Sequence, residues 1–144
     1  MTLLPITRDL EFDCSNYSTV SGIMMEVIES TLEMGTTPPW CGYLALTTDR
    51  EVIGTCAFKG PPDERGEVEL AWFTFPQYEG RGHGTRMARL LVEIAEAASE
   101  RAVLIAHTLP QRNASARICE HAGFACEGQI ELPDEGPVWR WRRG

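Results

Sequence analysis

The chain has 144 residues, 43% apolar and 24% charged, close to the averages of folded globular proteins and far from disordered, collagenous or coiled-coil compositions. That length suits one core, so residues 1–144 are expected to form a single domain. A net charge of −8 has the wrong sign for binding that neutralises phosphates over a wide surface, and no nucleic-acid partner is expected.

In chain order, apolar residues fall first at Val20, Ile23, Met24, Val27 and Ile28, the spacing of an amphipathic helix, with Ser18 available as cap and Gly35 as stop. Residues 41–47, a turn at 48–50 and residues 52–59 read as a β-hairpin. A loop carrying Gly60, Pro61, Pro62 and Gly66 leads to a third strand over Glu67 to Thr74. There Val68, Leu70 and Trp72 share one face, with Glu67, Glu69, Ala71 and Phe73 on the other. The long helix that follows has Met87, Leu90, Leu91, Ile94, Ala95 and Ala98 in one stripe, which must be core. Ala102 to Thr108 is a nearly all-apolar strand after a helix, and its neighbour is expected to be parallel. A short helix over Asn113 to Ala122 stops at Gly123, Phe124 opens another strand, and the turn Pro133 to Gly136 leads into Val138 to Arg143.

The longest purely apolar run is five residues, Ala102 to Ala106, against about 20 for a bilayer span. The first ten residues lack the basic and apolar regions of a secretory signal. A cytoplasmic location with no membrane partner is therefore expected. Cys14, Cys41, Cys56, Cys119 and Cys126 form no CxxC pair and are read as reduced. With three scattered histidines, no metal site is expected.

The chemistry is expected where residues 77–85 join a strand to the long helix, with Gly80, Gly82 and Gly84 at alternate positions. Such a turn presents bare amides at the positive end of a helix, a ready site for phosphate. Residues 79–89 hold Arg81, Arg86 and Arg89 against Glu79 alone, an excess of positive charge that calls for an anion. The bland alternative is a tight strand-to-helix turn with solvated arginines. The dinucleotide fingerprint G-x-G-x-x-G fails, because Thr85 stands where the third glycine belongs. The NTPase loop fails too, because no lysine precedes Thr85.

The frame Glu79-Gly80-Arg81-Gly82-His83-Gly84 resembles the Gln/Arg-x-x-Gly-x-Gly/Ala loop of the GNAT superfamily of N-acetyltransferases, with Glu79 in place of the usual Gln or Arg. Residues 105–110, Asn113 to Arg117 and the pair Gly123-Phe124 resemble the ribosomal-protein-alanine acetyltransferase-like branch, as does the ending 134–141. Arg112 stands where that branch usually has Asn, and Asn113 is displaced by one.

The resemblance implies an α/β fold with a mixed, mostly antiparallel sheet of six to seven strands, flanked by helices and splayed at strands 4 and 5. Acetyl-coenzyme A would lie in that splay as co-substrate. Its pantetheine would pair with Trp72, Phe73 and Thr74, its pyrophosphate would rest on Gly80, Arg81, Gly82, His83, Gly84 and Thr85, and Asn113 and Ser115 would line the opposite side. The implied reaction is transfer of acetyl to a primary amine, on a small molecule or a peptide N-terminus, by direct attack. The protein is expected to be a monomer or homodimer.

Because an ammonium has no lone pair, the acceptor needs a base. Glu69 is the first candidate, on the strand where relatives often carry a glutamate, and Glu67 is the weaker one. His107 ends the next strand, and imidazoles in general change charge near neutral pH. Cys119 stands where many relatives have a tyrosine acid, but a packing role is favoured. Met24, Met25, Met34, Trp40 and Tyr43 are candidates for core or for the acceptor pocket. The rival reading is a coenzyme A-binding sensor of the same fold without turnover.

Overall fold

The computed structural model describes residues 1–8, 21–35 and 37–144, the side chains of 21–24 excepted. Seven strands and three α-helices follow one another: β1 (Thr2–Pro5), α1 (Ser21–Glu33), β2 (Gly42–Leu46), β3 (Val52–Phe58), β4 (Glu67–Thr74), α2 (His83–Ala98), β5 (Val103–Thr108), α3 (Ala114–His121), β6 (Ala125–Leu132) and β7 (Gly136–Arg143). A 3₁₀ turn over Pro76–Tyr78 precedes α2. The strands form one sheet in the order β1-β2-β3-β4-β5-β7-β6, antiparallel except between β4 and β5.

The apolar alternation of each strand decides what it packs against. Tyr43, Cys56, Phe58, Val68 and Leu70 face Met87, Ala88, Leu91 and Ala95 of α2, with Ala116 and Cys119 of α3 closing the same core. On the opposite face Leu44, Leu46, Val52 and Phe75 receive Val27, Ile28 and Leu32 of α1. At the far side of the sheet Trp141 Nε1 donates to Thr108 Oγ1 at 2.9 Å, satisfying two buried polar groups and pinning β7 to β5.

The hairpin, the third strand, the long helix and the parallel neighbour all form as the periodicity predicts. Ser18 and Val20 lie outside the described residues, while Gly35 takes the left-handed conformation, φ +66°, just beyond α1. Strand β1 is an addition: four residues ending in Pro5 carry too little pattern to announce a strand, yet they pair in full register with β2. Trp40 and Tyr43 belong to the core beside Phe58, whereas Met25 and Met34 are exposed.

Candidate active site

Strands β4 and β5 are paired only at Glu67–Val103, Val68–Leu104 and Glu69–Ile105. Beyond Glu69 they part, so the β5-facing amides and carbonyls of β4 have no strand partner there and can accept an extended amide chain as an added strand. The gap opens into a cleft of about 630 Å³, within the range of small-molecule sites. Trp72, Phe73 and Thr74 form its floor, Gly80 and Gly82 to Thr85 one wall, and Ala114, Ser115, Arg117 and Ile118 of α3 the other.

The first intrahelical bond of α2 runs from Arg86 N to Gly82 O, so the amides of residues 82–85 have no partner within the helix. Gly82 is its N-cap at φ +82° and offers no side-chain cap, leaving those donors to an incoming group. A Cβ built on Gly80 or Gly82 meets nothing within 4 Å; both have positive φ and keep open the space before the amides. Gly84 differs: its Cβ would come within 2.5 Å of Ile118 Cδ1, so this glycine lets α2 approach α3. The pattern of alternate glycines thus combines two demands, open space before bare amides and close helix packing.

His83 lines the cleft, and its Nδ1 is buried without a hydrogen-bond partner among the described residues. Its pKa is held below the ordinary value near 6.5, first by desolvation and then by Arg86 and Arg81. The unfolded chain therefore takes up a proton that the folded one refuses, and this group costs the folded protein stability as pH falls through 6.5 and below. An arriving diphosphate reverses the local potential. Binding of a diphosphate-bearing ligand at this turn is accordingly expected to take up protons at pH near the ordinary imidazole value, read by calorimetry in buffers of different ionisation heat, and His83→Gln removes that portion of the uptake.

At the fork, Glu69 Oε2 lies 2.6 Å from Lys59 Nζ and 3.3 Å from His107 Nδ1. Among the described residues neither ring nitrogen of His107 makes a directed hydrogen bond; the imidazole adjoins the Glu69 carboxylate off the hydrogen-bond direction. Glu69, Lys59, His107, Ser115 and Glu135 line a hollow of about 170 Å³ that shares Trp72 and Ser115 with the cleft. Glu67 is committed elsewhere, receiving Arg140 at 2.8 Å in a triad completed by Glu127.

Trp72 to Thr74, Gly80, Gly82 to Thr85 and Ser115 thus come together, and Glu69 meets His107. Arg81 instead lies over the Tyr78 ring, 5.9 Å from its centroid. Asn113 caps α3, its Oδ1 accepting from Ala116 N at 2.9 Å, and the α3 wall is made by its successors. Asn113→Ala is expected to cost about 1 kcal/mol of stability, measured as a denaturant midpoint. Cys119 is wholly buried, its thiol pushed up to about 12 by desolvation, and serves as core. His121 is an exposed helix residue. Lys59 and, in the α3 wall, Ala114, Arg117 and Ile118 went unread in the sequence, although the hairpin register that sets Phe58 against Leu70 places Lys59 opposite Glu69. No group of described residues could hold a metal ion.

A family model for the acetyltransferase (GNAT) domain matches residues 19–125. The chain belongs to this family. Among solved structures, a protein assigned to the GNAT-family acetyltransferases from Bordetella pertussis is 18% identical, with 99% of this chain and 94% of that one covered at a TM-score of 0.69. A variant of spermidine N-acetyltransferase from Vibrio cholerae is 14% identical, with 82% and 73% covered and a TM-score of 0.66. The aminoglycoside acetyltransferase AAC(6')-Ib, solved with coenzyme A, is 22% identical, with 72% and 65% covered and a TM-score of 0.62. This chain therefore spans about 65% of the length of that aminoglycoside enzyme. No curated protein matches the chain. The GNAT sheet, mixed and parted between its fourth and fifth strands, is the one described above.

Proposed function

We propose that this chain, residues 1–144 acting as one domain, transfers acetyl from acetyl-coenzyme A to a primary amine by direct attack. The observation that carries the proposal is the meeting, in one cleft, of the free β4 edge and the unpartnered amides that open α2. A pantetheine arm is an extended diamide and suits the edge at Trp72 to Thr74; a diphosphate suits the helix end at residues 80–85. With both ends seated, the thioester falls toward the fork.

There the amine loses its proton to Glu69, directly or through water, with His107 beside the carboxylate as the next proton carrier. The amine nitrogen attacks the thioester carbonyl, the C–S bond breaks, and the thiolate leaves. The nitrogen's second proton passes to that thiolate, and the lining of both cleft and fork by Ser115 supports its hydroxyl as the relay. Holding both reactants in line supplies much of the rate.

Within the family, the motifs at 113–117 and 123–124 support the ribosomal-protein-alanine acetyltransferase-like branch, which adds a peptide N-terminus to the acceptors to be tried. Reduced cysteines, with Cys41, Cys56, Cys119 and Cys126 free, suit a cytoplasmic protein, here taken as a monomer or homodimer. No helix among the described residues is long and apolar enough to cross a membrane. The test is calorimetric binding of acetyl-coenzyme A followed by thiol release with peptides, polyamines, aminoglycosides and simple amines. Tight binding with no release from any of them identifies a sensor instead of an enzyme.

A further inference from the structure

Three hollows meet at Trp72 of β4. Two are the cofactor cleft and the fork. The third, about 120 Å³, lies against α1 and is lined by Val27, Thr31, Thr55, Ala57 and Phe73, with Ala71 and Trp72 common to it and the fork. Glu69, Ala71 and Phe73 alternate onto the same face of β4, about 7 Å apart at each step of two residues. From the carboxylate the surface therefore passes at once onto apolar ground.

Charge is distributed with equal asymmetry. Among the described residues the lining of this third hollow contains no carboxylate, lysine or arginine. The fork offers two acids, Glu69 and Glu135. Glu69 is already faced by Lys59, and Glu135 stands in the turn before β7, across β5 from the hollow. Among the described residues that line the hollow, a second ammonium carried toward α1 would meet no counter-charge, only two threonine hydroxyls, and would lose its water.

Resting on the transferase reading above, we infer that the acceptor is a monoamine with a short apolar tail: the nitrogen meets Glu69 at the fork, and the tail fills the hollow between Ala57, Ala71 and Val27. A 150 Å³ apolar cavity holds a benzene molecule, so this one takes a tail of about four to six carbons. Polyamines and aminoglycosides are thereby disfavoured acceptors, in spite of the spermidine and aminoglycoside enzymes among the fold relatives.

The experiment measures kcat/KM by thiol release from acetyl-coenzyme A with methylamine, propylamine, butylamine, hexylamine, spermidine, kanamycin and an alanine-leading tetrapeptide. The expected result is a rise of about fourfold per methylene up to butylamine, a plateau by hexylamine, and values at least tenfold below butylamine for both polycations. A polycation or the peptide exceeding butylamine overturns the acceptor class and leaves the transferase reading standing. No release from any amine, with acetyl-coenzyme A still bound, overturns that reading and this inference with it. Ala57→Leu, and independently Val27→Phe, should bring the butylamine-to-methylamine ratio toward one; an unchanged ratio in a folded variant overturns the placing of the tail.

Discussion

Glu69→Gln is expected to lower kcat by about 10²- to 10⁴-fold, the range of a positioned general base, while the Kd for acetyl-coenzyme A stays within about twofold of the parent. The separation follows from geometry. Glu69 stands at the last position of β4 paired with β5 and lines the fork, whereas the larger cleft, proposed for the cofactor, is lined from Trp72 onward. Glutamine keeps the volume and the strand, so what is lost is the capacity to take a proton. The variant also loses the contact with Lys59, but that side chain is 47% exposed and such pairs contribute little to stability. Binding by calorimetry and single-turnover kinetics read the two quantities independently. Turnover within threefold of the parent would move the base to His107 or to a water held between the two. His107→Gln is the companion: with Glu69 as the acceptor of the proton it reduces kcat less, and with His107 as the acceptor it reduces kcat more.

Much of the fold was legible because its elements are long or strongly periodic. The stripe from Met87 to Ala95 could only be a buried helix face, and it packs at the centre of the core. The run from Ala102 to Ala106 announced a strand covered on both faces, and the helix before it announced a parallel partner. Strand β1 was invisible because four residues carry no period and its partner, β2, lies some forty positions away. The fork is of the same kind. Where two parallel strands cease to pair depends on β7 holding β5 on its other edge and on α3 standing over the gap, relations between distant segments that no local pattern records.

The site was legible by type of residue and less so by assignment. Glycines and arginines around the start of α2 point to an anion cradle, yet spacing alone does not tell Gly80 and Gly82, open and left-handed, from Gly84, which is helical and covered by Ile118. Asn113 was read toward the cofactor, and its side chain caps α3, a role its place just before a helix also fits. Glu69 follows from the strand on which family members often carry a glutamate, and His107 from its place at a strand end; that Lys59 joins them requires the register of β3 on β4.

Gly82→Val is expected to weaken acetyl-coenzyme A binding by at least 10²-fold, about 2.7 kcal/mol at 25 °C. Two effects combine. At φ +82° an L-residue costs about 1–2 kcal/mol, and a β-branched one sits there worst of all, so the loop shifts to relieve it and carries the amides of residues 83–85 with it. If the loop holds, the new side chain projects into the open space from which a phosphate must approach. The strain is small beside the total stability of a typical domain, so the variant should remain folded, with an unchanged circular dichroism spectrum and a modestly lower Tm. Gly82→Ala should fall between parent and valine variant. Gly84→Ala tests the other role: it presses on Ile118 across the helix contact and leaves the cradle amides bare, so binding should fall by far less than in Gly82→Val. Equal losses in the two variants, or acetyl-coenzyme A binding within threefold of the parent in a folded Gly82→Val protein, would mean that the diphosphate does not rest on the opening turn of α2.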